Sequence, residues 1–344
     1  MLLATWNIRD FDSNKFGYGP REPETFFYLA EIISSFDLVA VQEVNRDLRP
    51  LQRLIRILGT KWDFIATDTT SGPSGNDERM AFLYNTDKVW FRKVAGEIVL
   101  PKGQTIVGPR AATKAALKIA DETAAKTANQ KRASDGLQFA RTPFLVAFQS
   151  GWFRFSLCIV HIYYGAASGS ALERRIDEIR ALVKFFADRQ DQESQRETDA
   201  VGIPENYILL GDFNVVSPDH KTLAALTDHG FVIPDAIKGE RVHRPGDHYY
   251  DQIATRVKDL RFKVIDGGLY DIYAQVFRDN EEDLKTYGAH IPAEDPETHA
   301  PVKDRRTYYL KWRTWQMSDH KPLWVAIGTD FADDYLGHLV NIQA

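Results

Sequence analysis

Apolar residues along this chain collect in short runs, and most of the runs stop at a polar residue. Leu2 to Trp6, Leu38 to Gln42, Ala81 to Tyr84, Phe144 to Phe148, Phe153 to Val160, Tyr207 to Leu210, Gln252 to Thr255 and Leu323 to Ile327 are rich in branched and aromatic side chains, so they predict strands. Ser150-Gly151, between two of them, predicts a tight turn and an antiparallel pair over 144–160. A different spacing follows Gly169. Leu172, Ile176, Ile179, Leu182, Val183 and Phe186 recur every three or four positions with charges between them, which predicts an amphipathic helix. Leu48, Leu51, Leu54, Ile55 and Leu58 repeat that spacing in a shorter helix, and Glu24 to Ser35 predicts another behind Pro23, a favoured first-turn residue.

Hairpins mixed with longer crossovers predict a layered α/β sandwich rather than an all-parallel, doubly wound sheet. No composition shift or short-period repeat divides the 344 residues. The expectation is one domain over 1–344, with loop insertions near 101–140 (clearest from Asp121 to Gln138), 189–205 and 281–306, which are rich in charged, small and proline residues.

Composition narrows the class. With 44% apolar residues a large core is affordable. No apolar run approaches the roughly 20 residues needed to cross a bilayer, and the opening MLLATWNI has no basic segment and no cleavage site. A soluble, cytoplasmic protein with no membrane partner is expected. Cys158 stands alone in an apolar run, so an intramolecular disulfide is excluded and an inert buried thiol is expected. The net charge of −5 excludes a protein that coats nucleic acid by overall charge. Local charge is another matter. From Pro101 to Arg141, Lys102, Arg110, Lys114, Lys118, Lys126, Lys131, Arg132 and Arg141 outnumber Asp121, Glu122 and Asp135; from Pro301 to Arg313, Lys303, Arg305, Arg306, Lys311 and Arg313 face Asp304 alone. Either stretch reads equally well as a solvated face or as a phosphate-binding approach.

The polar residues that end the strands carry the chemistry. They are Asn7 after Leu2 to Trp6, Glu43 after Gln42, His161 after Val160, Asp212-Phe213-Asn214 after Gly211, and Ser318-Asp319-His320 before Leu323. Strand ends at one edge of a sandwich converge, so these groups can line one pocket. Carboxylates such as Glu43 and Asp319 suit Mg²⁺ or Mn²⁺, and no cysteine cluster points to zinc. Such an inventory offers a Lewis-acid site, a base for water and donors around a phosphoryl group.

In order along the chain stand Trp6-Asn7-Ile8-Arg9, Gln42-Glu43-Val44, Glu78-Arg79, Arg141-Thr142-Pro143, His161, Gly211-Asp212-Phe213-Asn214, Tyr250-Asp251-Gln252-Ile253 and Ser318-Asp319-His320. This series resembles the endonuclease/exonuclease/phosphatase (deoxyribonuclease I-like) superfamily across almost the whole chain. The resemblance implies a four-layer α/β sandwich of two packed, mixed and largely antiparallel sheets flanked by helices. It implies metal ligation by Glu43, Asn7 and Asp319, with Mg²⁺ as the ion and Mn²⁺ or Ca²⁺ as alternatives. Asp212 would orient or deprotonate the attacking water, Asn214 would donate to a phosphate oxygen, and His161 and His320 would flank the scissile phosphate. Glu78 would hold His161 and Asp251 would hold His320, each carboxylate fixing a tautomer and raising the imidazole pKa. Arg9 and Arg141 would bind substrate.

Asn7 to Phe11 resembles the first motif of the deoxyribonuclease I-like branch, whereas abasic-site endonucleases carry tyrosine at the position of His161. Two departures stand against groove binding of the family type: Asn45 where that branch has an arginine, and Asn76 where it has a stacking tyrosine. Trp312 and Trp315 read either as base-stacking residues or as core anchors at a strand start. The expected function is a Mg²⁺-dependent DNA endonuclease with little sequence preference, acting as a monomer on nucleic acid, DNA first. The alternative is a phosphatase or phospholipase of the superfamily acting on inositol phosphates, phosphoinositides or sphingomyelin, for which Phe16-Gly17-Tyr18 is the one candidate apolar loop. An abasic-site repair enzyme or an inactive binding protein ranks lower.

Overall fold

The structure, a computed structural model, describes residues 1–11, 14–69, 77–101, 106, 138–197, 205–242, 248–333 and 335–337. The predicted Asp121 to Gln138 insertion up to residue 137, the basic residues 102–132, and Asn76 lie outside the described residues.

Strands β1 (Leu2–Phe11), β2 (Leu38–Val44), β3 (Trp62–Ala66), β4 (Arg79–Asn85), β10 (Val264–Leu269) and β11 (Leu323–Ile327) form a six-stranded sheet in the order β10-β11-β1-β2-β4-β3. A five-stranded sheet has the order β5-β6-β7-β8-β9, from β5 (Trp90–Glu97), β6 (Phe144–Ser150), β7 (Phe153–His161), β8 (Tyr207–Asp212) and β9 (Asp251–Arg256). Only β1 with β2 and β7 with β8 run parallel; every other named pair is antiparallel. The predicted turn at Ser150-Gly151 closes the β6–β7 hairpin, with Ser150 opposite Phe153.

Alternation sorts the side chains into layers. Leu3, Leu38, Ala40, Met80, Phe82 and Tyr84 point from the first sheet toward Phe144, Val146, Phe148 and Phe155 of the second. Their neighbours Ala4, Trp6, Ile8, Val39, Val41, Ala81 and Leu83 point the other way, into α1 (Pro23–Ser34), α2 (Arg49–Leu58) and α6 (Arg305–Gln316). On the far side α3 (Gly169–Glu197) lays Ile176, Ile179, Leu182, Val183 and Phe186 on the second sheet. Helix, sheet, sheet and helix make the four-layer sandwich the motifs implied. Because central strands are buried on both faces, they read as apolar runs rather than alternating patterns. Short helices α4 (Lys221–Leu226) and α5 (Glu281–Thr286) lie in the connections between strands.

Strands β3, β5 and β10 escaped the sequence reading. β3 is a five-residue edge strand exposed or half-buried after Trp62, in β5 the residues after Arg92 are exposed, and β10 carries Asp266-Gly267-Gly268. Residues 189–197, expected in a loop, continue α3. The 281–306 segment holds α5, a bridge between Glu294 and Pro301, and the start of α6. Its polarity belongs to a surface layer, not to absent structure. Trp312 and Trp315 lie on α6 and not at a strand start. Cys158 is buried in the core, which pushes its thiol pKa well up, as an inert thiol requires. Among the described residues no helix is long and apolar enough to cross a membrane.

One buried charge ties a helix to the strand ends. Glu178 of α3 accepts from the backbone N–H of Ala140 at 3.0 Å, and its burial lifts its pKa to about 7. Since that value exceeds the 4.5 of an unperturbed carboxyl, the neutral form's stability is fully present below pH 4.5 and is lost as pH rises through 7. Glu178→Gln keeps an acceptor for Ala140 and removes the charge. Thermal melts at pH 5 and pH 8.5 should show the variant gaining on the wild type as pH rises, by up to about 3 kcal/mol; a pH-independent difference would contradict the buried charge.

Candidate active site

The site lies where strands of both sheets end. β1 departs from register with β2 between Asn7 and Phe11, and β2 departs from register with β4 between Val41 and Val44. Within these bulges Arg9, Asp10 and Glu43 take φ values of 52°, 44° and 59°. Bulges re-aim side chains, and left-handed backbone at non-glycine residues persists only where the surroundings enforce it. In the second sheet, Gly211 has φ of 132°, and a Cβ there would sit 2.1 Å from the Val160 carbonyl oxygen. Only glycine lets β8 lie so close to β7, which sets His161 opposite Asp212.

A cleft of about 590 Å³ opens at this edge, lined by Asn7, Arg9, Glu43, Glu78, Arg141, His161, Asp212, Asn214, Asp319 and His320. Asp251 lies behind it. At the floor, Asn7 Nδ2 donates to Glu43 Oε1 at 2.8 Å and to Asp212 Oδ2 at 3.2 Å, while the Asp10 N–H donates to Glu43 Oε2 at 2.8 Å. Burial, then the neighbouring Glu78 charge, raise the Glu43 pKa.

Two imidazole–carboxylate pairs place their imidazoles in this cleft. His161 Nδ1 lies 3.0 Å from Glu78 Oε2, and Arg141 Nε 2.9 Å from the same oxygen; His161 Nε2 lies 3.7 Å from Asp212. In the second pair, His320 Nδ1 meets Asp251 Oδ2 at 2.5 Å. Burial disfavours the His320 imidazolium, but the Asp251 carboxylate, aided by Asp212 and Asp319, outweighs it and lifts the pKa to about 10. His161 is raised too: burial and Arg141 pull it down, and Glu78 prevails. Each carboxylate thus orients the imidazole the sequence paired with it.

The other expected site residues have partners within the protein. Asp319 forms an ion pair with Arg9 at 3.3 Å, and among the described residues Glu43, Glu78 and His161 form a potential metal group whose ligand atoms lie within 4.8 Å of one another. Asn214 Nδ2 donates to the Ile162 carbonyl at 2.8 Å, and its N–H donates to Asp212 Oδ1 at 2.9 Å. Arg9 lies flat over Trp315, 3.8 Å from the ring centroid, and bonds the Thr314 hydroxyl. Asn45, at the groove-arginine position, bonds Asp10 at 3.0 Å. None of the basic residues of 301–313 lines the cleft: Lys311 pairs with Asp295 and Glu297, Arg306 with Asp279, Arg305 with the Gly288 carbonyl, and Arg313 with the Phe277 carbonyl. That stretch is a solvated and buttressing face. Trp312 is a core anchor, and Trp315 is a cleft wall.

Sequence reasoning missed Asp10, Lys15, Tyr163, Tyr164 and Gly165 as lining residues. The tyrosines follow His161 by two and three positions, the only signal available. It also missed two buried arginines. Arg21 donates to the carbonyls of Ile8 at 2.6 Å, Arg9 at 2.8 Å, Asp10 at 3.1 Å and Gln316 at 2.9 Å, clamping the first bulge to the segment before Asp319. Arg175 donates to the carbonyls of Asn214 at 3.0 Å, Ala166 at 2.8 Å and Tyr164, joining the turn after Asp212 to the loop after His161.

The sequence matches the endonuclease/exonuclease/phosphatase family over residues 4–231. The chain belongs to that family. Its members are hydrolases of phosphate esters. No curated protein matches the sequence. Similar solved structures include a mannosyl-6-phosphatase of Bacteroides thetaiotaomicron (TM-score 0.54, 18% identity, 95% of this chain and 99% of that one). They also include the human nocturnin catalytic domain with bound sulfate (TM-score 0.51, 12% identity, 95% and 94%). A third is D. rerio TDP2 with a single-strand DNA product (TM-score 0.51, 10% identity, 96% and 99%). At these identities the likeness shows the fold.

Removing an arginine clamp leaves buried carbonyls without charged partners. Arg175→Met should lower unfolding free energy by roughly 2 kcal/mol or more in urea denaturation; an unchanged midpoint would mean that the carbonyls find other donors.

Proposed function

We propose that this enzyme is a divalent-metal-dependent phosphodiesterase, and that its substrate is DNA cut with little sequence preference. The observation that carries the reading is the pair of imidazole–carboxylate dyads whose imidazoles share one cleft with Asp212, Asn7 and Glu43. A single reacting phosphorus held in that cleft would meet imidazole donors and a carboxylate for water.

The donor set fits a hard cation. Glu43 is crowded by Glu78, with Asp319 nearby, and a divalent ion relieves that repulsion. Glu43 would be the principal ligand, with Asn7 and Asp319 completing the set; Mg²⁺ is the proposed ion, and Mn²⁺ and Ca²⁺ are the alternatives. When bound, it would supply Lewis-acid stabilisation of the phosphoryl oxygens. Asp212 accepts a proton from the attacking water, the new P–O bond forms, and the bond to the leaving oxygen breaks as an imidazolium hands it a proton. Asn214 and the second imidazole hold the equatorial oxygens, and Arg9 and Arg141 hold the flanking charge.

A second reading, a phosphatase acting on a sugar or inositol phosphate, is favoured by the engagement of the 301–313 cations away from the cleft. Supercoiled plasmid and inositol phosphates offered in parallel decide between them: nicking with Mg²⁺ and none with EDTA supports the nuclease, whereas inositol phosphate turnover with intact plasmid replaces it. His161→Ala should lower kcat about a hundredfold to ten-thousandfold with little change in melting temperature. A fully active His161→Ala enzyme would overturn the mechanism.

A further inference from the structure

The loop after β1 reaches the cleft with an aromatic ring. Phe16 lines the cleft and is 39% exposed, in a wall whose other aromatic members are Tyr163, Tyr164, Tyr250 and Trp315, and the Lys15 ammonium lies 5.1 Å from its ring centroid. One side of it rests on Trp315, with ring centroids 4.7 Å apart at 39°, and Trp315 is stacked in turn on Tyr18 at 4.9 Å and 8°. The indole is therefore occupied by Tyr18 and by Arg9, and Phe16 is the member of this stack with open surface at the mouth.

The loop is held, not draped. The Tyr18 hydroxyl donates to Glu297 Oε2 at 3.1 Å, and Lys311 Nζ bridges Glu297 at 3.0 Å and Asp295 at 3.1 Å while lying 5.0 Å from the Tyr18 ring centroid. Gly17, with φ of 78°, lets Pro296 pack so close that a Cβ would sit 2.9 Å from the proline Cβ. The 294–301 part of the insertion thus clamps the two residues that follow Phe16.

We infer that Phe16 is a specificity platform that stacks on the nucleobase next to the scissile phosphate, and that the Tyr18–Glu297–Lys311 clamp positions it. This rests on the phosphodiesterase reading above. An exposed ring beside phosphate-binding cations is the pairing that a nucleotide presents, a planar π-face linked to an anion. Arg9, pinned on Trp315 at 3.8 Å, sets the cation and the aromatic stack in fixed relation.

The test uses the full chain with Mg²⁺ and three diesters: thymidylyl-thymidine and its two analogues in which one base is replaced by hydrogen. The wild type should prefer the base-bearing diester over one analogue, and Phe16→Ala should collapse that kcat/KM ratio by roughly tenfold or more. Phe16→Trp should restore it. Lys311→Met should erode the same ratio, a loss that a purely structural role for Lys311 would not produce. Equal loss on all three diesters in Phe16→Ala, or no wild-type preference for a base, overturns the platform. Wild-type hydrolysis of bis(p-nitrophenyl) phosphate reads the parent activity separately: hydrolysis without base preference overturns the platform alone, and no hydrolysis of any diester overturns both.

Discussion

Two sheets packed face to face leave little room for a charged side chain along their central strands, where the buried polar residues Thr5 and Gln42 bond each other. β1, β2, β7 and β8 are largely buried on both faces, so a carboxylate or imidazole midway along them would be desolvated without partners. Charged groups enter where a strand leaves the sandwich. Asn7, Glu43, His161 and Asp212 stand at those exits, at the same edge, because β1 with β2 and β7 with β8 run parallel and end together.

The exit itself has to be shaped. Bulges at Arg9–Asp10 and at Glu43 turn the chain into left-handed backbone, an arrangement that persists only if something overdetermines it. Arg21 supplies that for the first sheet by gathering the carbonyls of the bulge, and Arg175 does the equivalent across His161 and Asn214. A guanidinium suits this work because its fixed fork of donors can engage several carbonyls at once and keeps its charge when buried. The carboxylates collected at the edge repel one another, and the histidines and arginines between them make the collection tolerable. His320 held by Asp251, and His161 shared by Glu78 and Asp212, are the outcome of that balance.

Around this core site the outer layers decide what can approach. The 281–306 segment, polar enough to read as a loop, is a small structured buttress whose charges are engaged with α6 and with the loop at Tyr18. Of the basic residues of 301–313, Arg305, Arg306, Lys311 and Arg313 are paired within the protein, and among the described residues the cations that line the cleft are Arg9, Lys15 and Arg141.

The chain's own pattern determined the strands that are buried on two faces, the helices with an apolar stripe, and the order of the site residues, because burial on both faces and a 3.6-residue period leave marks within a few neighbouring positions. It also paired His161 with Glu78 and His320 with Asp251 through the resemblance of the motifs. Edge strands β5 and β10, half exposed or rich in glycine, left no such mark. Nor did Arg21, Arg175 or the Asp319–Arg9 pair, whose partners lie far away in the chain. What those groups do depends on contacts across layers, and only the packed tertiary structure brings such residues together.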